Sequence, residues 1–430
     1  MSLATPAARS TANPIIVWLA FAVAGVAIHL VLWQFSEPRE LFSDFFKAYY
    51  PAGQAVLSRG PNPPWSIAEG AALTFVNLPI LAWLFAPLGR LSEFAASWTF
   101  LAFGIPAALT AWALLARIAR LDGQKAALLL FIFMVNGPMV NSLREGNTTH
   151  FLLLLLVVAL LLWRAGWTFT AGLVFGFCAI FKLPLLLYGG YFLLRRQWRV
   201  LAGGGTMIAV IGGLSIWYFG LATNIAWYRY CVEPFLSGVV PAFNVQSIDG
   251  FVVRLVTGDQ LLREWTPLPL PTTYKVVRTV VFAAIFGGTS WLMWRAERLE
   301  PLQRATGTLS ARDLLEFALV LNLALVTSPV SWTHYYLLLL LPWSLYLGGL
   351  LPLPDDAATR WLMWGSLVLT SLPVLMPTLY PSLTAEIVAR TVVSMWLYGG
   401  LLMLAALLRG AWRMTSHTAS PAKRTDAAAP

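Results

Sequence analysis

Residues 14–34 read PIIVWLAFAVAGVAIHLVLWQ. An α-helix rising 1.5 Å per residue needs about 20 such apolar residues to cross the hydrocarbon of a bilayer. A cleaved signal peptide has a shorter apolar core and ends at a small-residue cleavage site. This segment instead runs straight toward the acids Glu37 and Glu40, so it reads as a retained span. The polar tail before it, residues 1–13 with Arg9 as its one basic side chain, then lies in the cytoplasm, and the chain after it lies outside.

The rest of the sequence repeats the pattern. Of 430 residues, 58% are hydrophobic and 11% are charged, against about 25% charged in a soluble domain. The apolar runs are continuous rather than alternating, which favours spanning helices over barrel strands. Further spans are expected at 126–143, 148–163, 167–181, 183–194, 200–220, 274–294, 313–332, 335–352, 361–379 and 386–408. Residues 72–116 must add an odd number of crossings, yet they look like two apolar stretches broken at Gly89-Arg90-Leu91-Ser92-Glu93. The fold class is therefore an all-α polytopic membrane protein with about 12 (roughly 11–13) transmembrane helices. Its single membrane domain covers 14–410, and a tail at 411–430, rich in Ala, Ser, Thr and Pro, is expected to be disordered.

Alternating the spans places the basic clusters on the cytoplasmic side: Arg117/Arg120/Lys125, Arg195/Arg196/Arg199, Arg295/Arg298/Arg304/Arg312 and Arg409/Arg413/Lys423/Arg424. That is the positive-inside pattern. The net charge of +10 is thus mostly a topology signal, and no basic stripe outside these loops suggests nucleic acid. Cys178 and Cys231 have neither metal-ligand nor redox spacing.

Two large loops emerge on the outer side, at about 35–71 and 221–273. Most chemistry-bearing residues map to them or to outer helix ends. In the first, SDFFKAYYPAGQAVLS (43–58) places Phe45, Tyr49, Ala52 and Val56 on one helical face, as in an amphipathic helix lying in the membrane interface. Asp44 would sit in its first turn with Ser43 as cap. An acid there complements the helix dipole and can pair with Lys47 at i+3. It is equally a carboxylate placed for chemistry at a membrane surface. Tyr49, Tyr50 and Trp65, the last within the rigid turn GPNPPW, offer a platform for a sugar or headgroup.

Four other segments carry polar groups. NSLREGNTTH (141–150) holds Arg144, Glu145, Asn147 and His150 between two spans. Lys182 interrupts FGFCAIFKLPLLLYG, and an ammonium in an apolar run is functional, paired or snorkelling. The second loop has PAFNVQSIDGFVVRL with Gln246, Ser247, Asp249 and Arg254. SPVSWTHYY places Trp332 and His334 near an outer helix end, where His334 can donate to a phosphate or sugar oxygen. No Walker loop, dinucleotide fingerprint, GxSxG elbow or HExxH motif is present. An activated group would therefore have to arrive in the membrane.

The order of these segments resembles glycosyltransferase family 87, polyprenyl-phosphate-hexose-dependent transferases of the GT-C class. The likeness runs through roughly residues 40–340. The family's early aspartate with paired aromatics looks like Asp44, Tyr49, Tyr50 and Ala52. Its Gly-Gln before a leucine run is similar to Gly146-Asn147 before FLLLLLVVALLL. Its Ala-Gly…Lys-x-Pro segment is matched by Ala171-Gly172, Lys182 and Pro184, and its Gln-Ser…Gly…Arg loop by Gln246, Ser247, Gly250 and Arg254. Its Ser-Pro-x-Ser-Trp-x-His motif is matched by Ser328, Pro329, Ser331, Trp332 and His334. Asn147 stands in place of the glutamine, Val245 in place of the loop asparagine, and Asn77-Leu78-Pro79 in place of Tyr-Pro-Pro.

The resemblance implies a GT-C fold in a bacterial inner membrane, with its active site on the extracytoplasmic side. It implies a hexose, mannose above all, moved from a polyprenyl phosphate to a glycolipid or glycan hydroxyl. Asp44 would be the general base of an inverting transfer. Lys182, Arg254 and His334 would meet the leaving phosphate, while Gln246, Tyr49, Tyr50, Asn147, Arg144 and Trp332 complete the substrate site. The lipid-linked sugar is a co-substrate and no cofactor is expected. The sequence shows no cluster of metal-binding carboxylates, so transfer is expected to be metal-independent. The rival class, a lipid or sugar transporter or flippase, would call for inverted repeats and paired ionisable groups at mid-membrane, and the sequence shows neither.

Overall fold

The computed structural model describes residues 14–35, 41–58, 75–299, 309–374, 376–377 and 382–416. Trp65 and the GPNPPW segment, residues 1–13 (the expected cytoplasmic tail) and residues 417–430 lie outside the described residues. The described chain is helical almost throughout. Apolar runs demand this, because a segment in hydrocarbon must close its backbone hydrogen bonds within itself.

Helix α1 (Pro14–Phe35) coincides with the first expected span. Phe45–Tyr49 is a π-helical turn that continues into α2 (Tyr50–Ser58). The expected apolar face forms, but it is turned into the protein rather than toward a membrane interface. Phe45, Tyr49, Ala52 and Val56 are all buried. Tyr49 stacks on Phe85 at 4.7 Å between ring centroids, and Phe45 lies 5.0 Å from Phe100.

From Phe75 onward, the ambiguous stretch resolves into one long helix preceded by short turns. A 3-10 turn (Pro79–Leu84) and α3 (Ala86–Gly89) pack against α2. Then α4 (Glu93–Ile118) runs for 26 residues, with Ser92 accepting the Ala95 N–H at its start. The expected span 126–143 is instead two helices, α5 (Gly123–Val135) and α6 (Gly137–Arg144), bent by 55°. The bend falls at Asn136, whose Oδ1 caps α6 by accepting the Met139 N–H at 3.0 Å. Pro138 occupies the first turn, where a missing N–H costs nothing.

Next come α7 (Thr149–Arg164), α8 (Thr168–Phe181), α9 (Leu187–Leu194) and α10 (Trp198–Trp227). Helices α8 and α10 approach through glycines: a Cβ on Gly203 would lie 2.0 Å from the Phe169 carbonyl oxygen, and one on Gly172 would lie 2.1 Å from that of Val200. Small residues permit such close helix contacts in membranes. Helix α10 is broken at Gly220 (φ 78°, ψ 160°), at the outer limit expected for that span, in a conformation glycine adopts readily.

The second expected loop, residues 221–273, holds regular structure. It contains α11 (Glu233–Ser237), the strand β1 (Gly238–Val239) paired antiparallel with β2 (Leu268–Pro269), and between the strands α12 (Ile248–Thr257). The chain ends with α13 (Thr272–Leu299), α14 (Ala311–Val326), a 3-10 segment (Thr333–Leu339) leading into α15 (Leu340–Leu347), α16 (Ala357–Ser371), α17 (Leu383–Arg390) and α18 (Met395–Ser416). The last helix runs to Ser416, past the expected start of the disordered tail at 411.

Among the described residues, four helical stretches are long and apolar enough to cross a membrane: Glu93–Ile118, Trp198–Ser237, Thr272–Arg298 and Leu383–Ser416; the bent α5–α6 pair would be a fifth. The protein is thus an all-α membrane protein. Several of the other expected spans fall on shorter helices, such as α7 and α14 with 16 residues each and α8 with 14.

Helix α14 is the central post and is buried along nearly its whole length. At its N-terminal end Arg195, Glu297, Arg312 and Glu316 form an ion network: Arg195 and Arg312 pair with both acids, Arg195 Nη1 meeting Glu297 at 2.8 Å and Arg312 Nε standing 3.6 Å from Glu316. Buried charges are tolerated when paired in this way. The network ties together basic clusters that the sequence assigns to one side of the membrane. The candidate site lies beyond the other end of α14.

Candidate functional site

The site begins with two backbone segments laced together. Phe42 donates its N–H to the Arg144 carbonyl at 2.8 Å, and Asp44 donates to that of Glu145 at 2.9 Å. The fit requires Gly146, which has φ +68° and where a Cβ would stand 2.7 Å from the Phe45 Cβ. This gives a physical reason for a glycine before the leucine run.

The lacing brings the half-buried Asp44 carboxylate onto Asn147, whose Nδ2 donates to Asp44 Oδ2 at 2.7 Å. The amide is oriented from behind. Its Oδ1 accepts the Thr149 hydroxyl at 2.7 Å and the Thr149 N–H at 3.1 Å, so its NH₂ must face Asp44 and the Tyr49 hydroxyl. Asp44 does not cap the helix that follows it, and it makes no ion pair with Lys47 among the described residues. Of the local reading, the position at the helix N-terminus holds and the Lys47 ion pair does not. Burial raises the Asp44 carboxyl above its ordinary range, while the Asn147 hydrogen bond and the charges of Lys182 and Lys47 act in the opposite direction.

Lys182 ends α8 in an extended conformation, just before the 3-10 turn started by Leu183-Pro184. It is buried, with Nζ 4.3 Å from the centre of the Tyr335 ring and within electrostatic reach of Asp44. His334 is also buried. Its Nδ1 lies 3.9 Å from Glu145 Oε2, and neither ring nitrogen has a hydrogen-bond partner among the described residues. Asp44, Glu145 and His334 each offer a ligand atom, all within 4.8 Å of one another, so these are the residues that could hold a metal ion.

The structure thus brings together Asp44, Tyr49, Asn147, Lys182 and His334, and adds Glu145. Sequence reasoning had left Glu145 as part of a polar connection. One signal was available: it is the only acid between Asp122 and Glu233.

Among the other expected site residues, Tyr50, Arg254 and Gln246 bond to groups of the protein outside this cluster. Tyr50 donates its hydroxyl to the Leu91 carbonyl at 2.9 Å. Arg144 is buried, and its carbonyl accepts from Phe42. Arg254, expected beside the leaving phosphate, is fully buried elsewhere. It donates to the Ala242 carbonyl and to Ser394 Oγ, each at 2.9 Å. Gln246 donates to the carbonyls of Phe243 and Val393 at 2.8 Å and accepts the Leu397 N–H. Their segment still matters to the site. The Gln246 N–H binds the Ser331 carbonyl, Thr333 N–H binds that of Asn244, and Val245 bridges Trp332. The second loop therefore holds the residues that lead into the 3-10 segment carrying His334. His150 lies against Gly104 with Nδ1 3.0 Å from Ser142 Oγ.

A half-buried carboxylate with an oriented donor behind it and a buried lysine and histidine alongside can accept a proton next to an anion. The known proteins that the chain resembles work on sugars. The alpha-(1->3)-arabinofuranosyltransferase of Mycobacterium tuberculosis is 27% identical over 300 residues, which are 66% of this chain and 64% of that protein. The polyprenol-phosphate-mannose-dependent alpha-(1-2)-phosphatidylinositol pentamannoside mannosyltransferase of Mycolicibacterium smegmatis is 28% identical over 313 residues, 70% of this chain and 67% of that protein. The chain thus spans about two thirds of the length of either relative. The family description "Glycosyltransferase family 87" matches residues 75–329, a stretch that includes Glu145, Asn147 and Lys182 and lies between Asp44 and His334. That stretch is more than half of the chain, and the chain belongs to glycosyltransferase family 87.

Proposed function

We propose that the protein is an inverting transferase. It moves a hexose, mannose in the first instance, from a polyprenyl phosphate to a hydroxyl of a lipid-linked or glycan acceptor. In this reading the fold is of the GT-C class with about 12 crossings, the shorter helices included. It sits in a bacterial inner membrane with the site on the extracytoplasmic face. The observation that carries the reading is Asp44: its carboxylate is held by Asn147 at 2.7 Å and stands within electrostatic reach of Lys182.

The step follows from that geometry. Asp44 takes the proton of the acceptor hydroxyl as its oxygen attacks the anomeric carbon. The new C–O bond forms as the bond to the phosphate oxygen breaks, and the phosphate leaves with the electron pair. Attack opposite the leaving group turns a β-linked donor into an α-glycoside. The lipid phosphate gains charge as it departs, and Lys182 and His334 can stabilise it through charge-assisted and neutral hydrogen bonds. The M. smegmatis relative, named for its dependence on polyprenol-phosphate-mannose, supports the donor class. The M. tuberculosis relative supports a second sugar, arabinofuranose.

The test uses purified protein in nanodiscs with a glycolipid acceptor extract and, in parallel, polyprenyl-phosphate mannose and polyprenyl-phosphate arabinofuranose. Mass spectrometry should find one glycosylated product, and that product should be missing with Asp44→Asn. Full activity of Asp44→Asn would remove the base assignment. Movement of donor across liposomes with no new glycosidic bond would favour a flippase instead.

A further inference from the structure

We propose that Asp44, Glu145 and His334 form a binding site for one divalent metal ion of the Mn²⁺ type. What such an ion would hold, the phosphate of a lipid-linked donor, rests on the transferase reading; the binding itself does not.

Three observations carry it. The ligand atoms of the three side chains lie within 4.8 Å of one another. Three ligands spread evenly about a metal at about 2.2 Å each stand about 3.8 Å apart; the His334–Glu145 pair is already at 3.9 Å, and side-chain movements of up to about 1 Å would close the set. Second, His334 is 6% exposed and neither ring nitrogen has a hydrogen-bond partner among the described residues. Its Nδ1 faces Glu145 Oε2 at 3.9 Å, too far for a hydrogen bond. A buried imidazole lacking a partner yet facing two carboxylates is a poor arrangement for a core histidine and a good one for a ligand. Third, the carboxylate-bearing segments are fixed to each other: the Asp44 N–H binds the Glu145 carbonyl, and Asn147 orients Asp44 from behind. Support of this kind sets the direction of metal ligands.

The donor set argues for the metal class. Two carboxylates point to the Mg²⁺, Ca²⁺ and Mn²⁺ group and one imidazole to the transition metals, and Mn²⁺ is the ion that belongs to both classes. Three ligands leave positions open on a six-coordinate ion. Lys182 lies within electrostatic reach of both Asp44 and His334 and works against a second cation. An anion seated between lysine and metal would relieve that repulsion, so inorganic phosphate should tighten the metal rather than strip it. Asp44 could give one oxygen to the ion and keep the other for a proton.

The experiment is Mn²⁺ titration of the whole purified protein in nanodiscs, read by electron paramagnetic resonance with neither donor nor acceptor present. One Mn²⁺ should bind per chain, with nitrogen hyperfine coupling from an imidazole. Glu145→Gln should weaken it about tenfold or more, and His334→Ala should abolish the nitrogen coupling. Inorganic phosphate should raise the affinity. Absence of bound Mn²⁺ in the unaltered protein overturns the proposal, and so does binding whose affinity and nitrogen coupling survive His334→Ala. Because no sugar is transferred in this assay, failure of the metal site and failure of the transferase reading are separate results.

Discussion

Asn147 donates to Asp44 across 103 residues of sequence, at 2.7 Å, with its amide locked from behind by Thr149. Asn147 therefore positions the carboxylate and stabilises its charged form. Asn147→Leu should lower kcat more than it changes KM. The pH profile is the readout that a merely structural role would not move. A base works only when ionised, so activity falls as pH drops through the Asp44 pKa. Burial already holds that pKa above the ordinary carboxylate range, and the Asn147 bond pulls it down. Removing the bond should shift the acid limb to higher pH. Asn147→Gln, which keeps the amide, should return part of the way. An acid limb that stays in place in Asn147→Leu would count against the positioning role.

Asp44→Asn keeps the shape and can still meet Asn147, after a flip of one amide, but cannot accept a proton. Loss of a general base typically costs about 10²–10⁴-fold in rate. Transfer should fall by that order while the thermal unfolding midpoint stays close to that of the unaltered protein. The carboxylate makes no cap bond, so little folding stability rests on its charge.

The fold class was legible in residues 14–34 and their successors, because bilayer thickness sets the length of apolar runs. The buried face of Phe45, Tyr49, Ala52 and Val56 was legible too, but not what it faces. Periodicity reports which side of a helix is apolar and cannot tell protein from lipid. The break at Asn136 escaped, since an asparagine inside an apolar run reads as a tolerated polar residue until its capping bond to Met139 is seen. At the site, Asp44, Asn147, Lys182 and His334 were visible as polar residues in apolar surroundings, whereas Arg254 and Gln246 gave the same signal for a different reason. A buried arginine that binds backbone carbonyls and one that waits for a phosphate look alike in sequence.

Arg254 therefore invites a direct test. Its guanidinium serves the Ala242 carbonyl and Ser394 Oγ, joining the second loop to the residue just before α18. Arg254→Ala leaves those acceptors buried without a donor, at a cost of about 1–3 kcal/mol. Thermal unfolding in detergent should shift down. In the fraction that remains folded, donor affinity should be little altered, because no bond from Arg254 reaches Asp44, Lys182 or His334 among the described residues. A large loss of donor affinity with unchanged stability would return Arg254 to the phosphate site.

Gly203 links packing to the site. A Cβ there would stand 2.0 Å from the Phe169 carbonyl oxygen, which is backbone and cannot swing aside. Gly203→Ala must push α8 away from α10, and overpacking of this kind costs about 1–3 kcal/mol. The displacement does not stop at Phe169, because α8 ends at Lys182. An ammonium held over Tyr335 at 4.3 Å has little freedom to compensate. Gly203→Ala should thus lower the unfolding midpoint and weaken donor binding together. Gly205 supplies the control: a Cβ there meets nothing within 4 Å, so Gly205→Ala should leave both unchanged. Equal effects of the two substitutions would mean that the glycines act through helix propensity and not through the close α8–α10 contact.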